Sequence, residues 1–181
     1  MSSILQNAIE SIQIGIEDFQ SEDNRRNASA VRNISAGSLL LFKEKLCRLS
    51  PVDNPHLLIL KDVRPVLNED GTLGLKGYAG RGEKTETVNV NDIQKLFSSL
   101  GVKADWERFG KINRLRNDLE HFYSSKEPAA IREIVSNSLV LIRDFIANEI
   151  GELPVSMIGK DGWDALLDVN EIYEKELAEC K

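Results

Sequence analysis

The stretch Arg114-Leu115-Arg116-Asn117-Asp118-Leu119-Glu120-His121-Phe122-Tyr123 holds the pattern from which the rest of the chain is read. On a helix turning about 100° per residue, Ile112, Leu115, Leu119, Phe122 and Tyr123 fall within roughly 100° of one another. They make an apolar stripe suited to a core. Asn113, Arg116, Asn117, Glu120 and His121 occupy a separate arc of about 140°. Lys111, Arg114 and Asp118 close the circle as a solvent face. One helix, expected over residues 105–123, therefore carries an oily face, a charged face, and a face with an Arg, two Asn, a Glu and a His.

The flanking sequence is also helical in pattern. Residues 2–19 place Ile4, Ala8, Ile12, Gly15, Ile16 and Phe19 on one stripe. A long helix is expected over residues 24–49, with Ala28, Val31, Ser35, Leu39, Phe42, Leu46 and Leu49 on its apolar face and Ser50-Pro51 as its stop. A short helix follows over residues 93–100, capped by Asn91 or Asp92. Pro128 opens another through residue 150, with Ile131, Ile134, Val135, Leu139, Ile142, Phe145 and Ile146 on its buried side. Asp161 is read as the cap of a last, acidic helix within residues 160–181, running from Trp163 to about residue 179.

Residues 51–91 break this pattern. Pro51, Pro55 and Pro65 interrupt helical periodicity, and Gly71, Gly74, Gly77, Gly80 and Gly82 follow. Asn68-Glu69-Asp70-Gly71 is a turn signal, and residues 85–90 alternate as a strand does. About forty residues with so little apolar material cannot form a core of their own. They are expected to be a small β-hairpin or irregular insertion within a single all-α domain of residues 1–181, an antiparallel helical bundle.

Composition narrows the function classes. The 181 residues suffice for one sizeable core, and no apolar run approaches a membrane span. The first residues lack the basic start and apolar block of a secretory signal. Cys47 and Cys180 are too far apart in sequence to suggest a disulfide framework, so a reducing, cytoplasmic compartment is expected. The net charge of -6 resides in residues 149–181, which hold nine acids and three bases. Residues 103–116 hold five bases and two acids, so the local field near the polar arc favours an anion.

The polar arc has the groups that RNA cleavage by 2′-hydroxyl attack requires. A base takes the hydroxyl proton, and a cation meets the charge that builds on the phosphoryl oxygens. The imidazole of a histidine such as His121 is suited to proton transfer near neutrality, and Arg116 offers a planar fork of donors. Asn117 can donate to phosphate or orient the imidazole; Glu120 can hold Arg116 or tune His121. Arg116 and His121 stand about 7.5 Å apart along the helix axis, so they bracket a site instead of bonding each other. With one His per helix, a separate general acid must come from a partner copy or from water. No Cys/His set matches a zinc site, the glycines at 74–82 lack the Gly-Lys-Ser/Thr ending of a P-loop, and no cofactor is implied.

Arg116-Asn117-Asp118-Leu119-Glu120-His121 resembles the Arg-x4–6-His motif of the HEPN superfamily. With Tyr123 it reads Arg-x4-His-x-Tyr and is similar to HEPN toxins paired with a minimal nucleotidyltransferase antitoxin. The resemblance implies a four- or five-helix bundle that dimerises through the motif helix. It also implies metal-independent endoribonuclease activity in a toxin or phage-defence effector. Arg116 and His121 would be catalytic, with Asn117, Glu120 and Asn113 supporting and Tyr123 a site of modification by the antitoxin. Arg32, on the long early helix, would contact RNA together with Lys111 and Arg114. A non-catalytic HEPN module that binds nucleotide, RNA or protein through the same face is the alternative; a regulatory helical protein with an acidic docking helix is a third reading.

Overall fold

Residues 2–61, 64–67, 73–76, 86–121, 128–165 and 167–168 are described by the computed structural model. Most of them are helical. Helix α1 (Ser3–Gln20) starts where the Ser2 hydroxyl accepts the Leu5 N–H at 3.1 Å, which satisfies an otherwise free backbone donor. A 3-10 turn, Asn24–Arg26, capped by Asp23, leads into α2 (Asn27–Leu49). Helix α3 spans Val90–Leu100, α4 Trp106–His121 and α5 Pro128–Phe145. A π turn, Ile146–Ile150, extends α5, and the short helix α6 covers Pro154–Ile158. Strands β1 (Arg64–Leu67) and β2 (Leu73–Lys76) pair antiparallel, with Arg64 opposite Lys76 and Leu67 opposite Leu73.

The described residues group into two compact units, and the boundary falls inside α2. The first takes residues from Met1–Leu40 and Asp105–Lys181. Its α1 buries Leu5, Ala8, Ile9, Ile12, Ile16 and Phe19, a stripe at helical spacing. Glycines let the two first helices approach closely. A Cβ at Gly37 would lie 2.5 Å from Ile12 Cγ1 and 3.0 Å from the Ala8 carbonyl oxygen; one at Gly15 would lie 2.8 Å from Ile34. On the same side of α1 Asp18 is buried, where Arg26 Nε donates to it at 2.8 Å and Asn33 Nδ2 at 3.3 Å. The Arg132 guanidinium of α5 stands 5.1 Å from the centre of the Phe19 ring, a cation–π contact that joins α5 to α1. The α5 serines Ser136 and Ser138 donate back to the carbonyls of Arg132 and Ile134, so these buried hydroxyls are satisfied.

The second unit, Leu41–Ala104, contains the end of α2, both strands and α3. Phe42 and Phe97 meet edge to face with ring centres 5.5 Å apart. Ser50 clamps the chain as it leaves α2: its hydroxyl donates to the Leu46 carbonyl and accepts the Leu58 N–H at 3.1 Å.

Several boundaries differ from the sequence expectations. Of the strand expected over residues 85–90, the described residues 86–90 form one bridge, Leu60 to Thr87, and Val90 already begins α3. The cap of α3 is Asn89 and not Asn91 or Asp92. Asn89 and Asp92 exchange side-chain-to-backbone bonds in a capping box, each at 3.1 Å. Asp161 lies inside a helical turn rather than capping one: residues 160–165 are helical, and the Trp163 N–H reaches the Gly159 carbonyl at 3.0 Å. The acidic helix expected beyond residue 168, together with Phe122 and Tyr123, lies outside the described residues.

Two outcomes follow for stability. Gly37→Ala gains helix propensity but forces Ile12 and the α1 backbone aside. A net loss of about 1–2 kcal/mol is expected, read as an earlier urea midpoint. Asp18→Ala takes one of two acceptors from the Asn33 amide, which keeps Ser29, and frees a half-exposed Arg26. It should cost about 2 kcal/mol, and adding Arg26→Ala should cost little more.

Candidate functional site

Helix α4 starts at Asp105, whose Oδ1 accepts the Arg108 N–H at 3.0 Å while Oδ2 holds the Arg108 guanidinium at 2.7 Å. Phe109, Ile112 and Leu115 recur at threefold spacing and are all buried, so they face inward, and α4 packs on α5. Ion pairs one turn apart lie on the two polar flanks: Glu107 with Lys111 at 3.0 Å on the solvent side and Glu120 with Arg116 at 2.9 Å on the other. The buried residues and the two flanks follow the three-faced helical projection of the sequence.

Arg116 is the centre of the polar arc. Its Nη1 donates to Glu120 Oε2 at 2.9 Å and to Asn117 Oδ1 at 3.0 Å. Its side chain retains 33% exposure and that of Glu120 37%. Both bonds use Nη1. Among the described residues Nε and Nη2 are unbonded, and together they form the edge of the guanidinium that suits two oxygens of a phosphate. Glu120 thus holds Arg116, one of the two roles expected for it. Asn117 uses its carbonyl oxygen on the Arg, which leaves its amide as a donor. Asn113 is half-buried, and Lys111 and Arg114 are exposed on the same helix.

The other expected participants are placed as follows. His121 is the last residue of α4, and its side chain is not among those described. Arg32 is exposed on α2 and forms no hydrogen bond or ion pair among the described residues. Its neighbour Asn33 is occupied by Asp18 and Ser29. A cavity of 280 Å³ in the first unit lies between α1 and residues 158–162, where Gln13 Nε2 donates to the Ile158 carbonyl at 2.8 Å. None of Arg116, Asn117 or Glu120 lines it, and volume alone gives it no chemistry.

Sequence reasoning passed over one pairing, Cys47 with His56. The Ser50 clamp reverses the chain, and Cys47 Sγ comes 3.6 Å from His56 Nδ1. Neither helical nor strand periodicity signals a contact across such a turn. Burial pushes the Cys47 thiol up to about 11, nearby Glu44 adds to the shift, and Lys43 opposes it. The thiol therefore stays protonated at neutral pH, in contact with the ring, and is poorly suited to act as a nucleophile. Among the described residues no group of three or more His, Cys, Asp or Glu is placed to hold a metal ion, and no helix is long and apolar enough to cross a membrane. Comparison of the chain with protein-family models, with curated proteins and with solved structures finds no match.

The state of Cys47 can be measured directly. In a Cys180→Ser background the native protein should react with a disulfide reagent at pH 8 at least about tenfold more slowly than the urea-unfolded chain. Equal rates would show an accessible, ionisable thiol.

Proposed function

We propose that this protein is a metal-independent endoribonuclease of the HEPN type that works as a homodimer through α4, in a toxin or phage-defence role. The fold in this reading is an antiparallel HEPN-like bundle with residues 51–91 as an insertion. The observation that carries it is the Arg116 guanidinium. It is fixed through one nitrogen by Glu120 and Asn117, its Nε/Nη2 edge is unbonded among the described residues, and it is partly exposed on a helix that ends at His121.

In this reading the 2′-oxygen attacks the adjacent phosphorus while His121 takes its proton. The phosphorus–O5′ bond breaks, leaving a 2′,3′-cyclic phosphate and a 5′-hydroxyl. The proton for the departing O5′ comes from the partner's copy of this imidazole or from water. Arg116 meets the charge on the non-bridging oxygens, and the Asn117 amide adds a donor. Lys111, Arg114 and Arg32 supply attraction for the RNA backbone. The dimer and a nucleotidyltransferase antitoxin acting on Tyr123 belong to the same reading.

Cleavage of single-stranded RNA in the presence of a chelator tests it. Arg116→Ala and His121→Ala should each lose at least about 100-fold in rate while keeping the wild-type thermal midpoint. Equal cleavage by wild type and both variants, or activity abolished by the chelator, would reject it.

A further inference from the structure

We propose that Glu120 grades the charge of the phosphate that Arg116 receives, so that the electrostatic advantage of doubly charged terminal phosphates and mononucleotides over singly charged internal phosphodiesters is reduced. The inference rests on the reading of Arg116 as the phosphate's partner and adds a specificity-determining role for its neighbour.

Arg116 is not a bare cation. Glu120 Oε2 lies 2.9 Å from Nη1, so the pair is neutral before any ligand arrives. The open Nε/Nη2 edge is on the same guanidinium, and a phosphate bound there sits roughly 6 Å from the Glu120 carboxylate, within reach of its field. Lys111 is paired with Glu107 at 3.0 Å, and the attraction from exposed Arg114 is the same in wild type and Glu120→Gln, so it does not alter the comparison. A diester brings one negative charge to this edge. A terminal phosphate brings nearly two at pH 8. Each unit meets the same attraction from Arg116 and the same repulsion from Glu120, so Glu120 penalises the dianion twice and narrows its advantage over the diester. On a partly exposed surface the repulsion amounts to roughly a fivefold loss of affinity per unit charge. Asn117 is bound to the same Nη1 but carries no charge, so it shapes the edge without grading ligands in this way.

Glu120→Gln separates charge from geometry, because the amide oxygen can still accept from Nη1. Wild type, Glu120→Gln and Arg116→Ala are titrated at pH 8 by NMR with two probes. One is a 2′-O-methylated dinucleotide with hydroxyl ends, which has a single diester and cannot be cut. The other is a nucleoside 3′-monophosphate. The expected result is that Glu120→Gln raises monophosphate affinity about fivefold more than dinucleotide affinity, and that Arg116→Ala weakens both. Equal gains for the two probes, or no gain, with Arg116 dependence intact, would overturn charge selection and leave the reading of Arg116 standing. Dinucleotide binding that ignores Arg116→Ala would remove both.

Discussion

The close approach of α1 and α2 is the constraint on which the first unit depends. Gly15 and Gly37 carry no Cβ at the crossing, and the space is filled by Ile34 and Ile12 instead. From α1 the order passes outward: Phe19 receives the Arg132 guanidinium of α5, and α5 packs against α4. The polar face of α4 is therefore held by a series of contacts that begins at two glycines. Close-packed interiors transmit such displacements because they have little free volume to absorb them.

That series explains why the burial on α4 is one-sided. Phe109, Ile112 and Leu115 are committed to the interior, and Arg116 stands at the boundary of that buried face, partly exposed, with exposed Glu120 and Asn117 farther round the helix. The ion pairs on this surface contribute little to stability, since exposed pairs are worth about 0–1 kcal/mol. Glu120 and Arg116 are better understood through orientation than through folding energy. A pair worth so little can rearrange at small cost when an anion arrives, yet it keeps the guanidinium in one pose beforehand.

Burial has the opposite meaning for two other charged or ionisable groups. Asp18 is almost fully covered, and there Arg26 and Asn33 answer a desolvation cost. Cys47 is half covered, and its response is to hold its proton. Neither arrangement leaves an edge open to a ligand, which distinguishes both from Arg116. The same residue types thus serve structure or recognition according to how much water they keep.

Helix positions were legible in the sequence wherever apolar residues recur every three or four places, as in α1, α4 and α5, because burying one face of a helix imposes that period. The three-sided character of α4 was legible for the same reason. The capping box of α3 was also written in the chain, as Asn89-Val90-Asn91-Asp92, but competing Asn and Asp residues made several starts plausible, and only the backbone bonds select one. Beyond local pattern, tertiary structure decided the outcome. It buried Asp18 rather than exposing it, engaged Asn33 with Asp18, and folded His56 back onto Cys47. Periodicity specifies which face of an element is apolar and which polar groups meet one helical turn apart; it does not specify pairs such as Asp18 with Asn33 or Cys47 with His56, because those meetings depend on chain reversals and helix crossings that no short window contains.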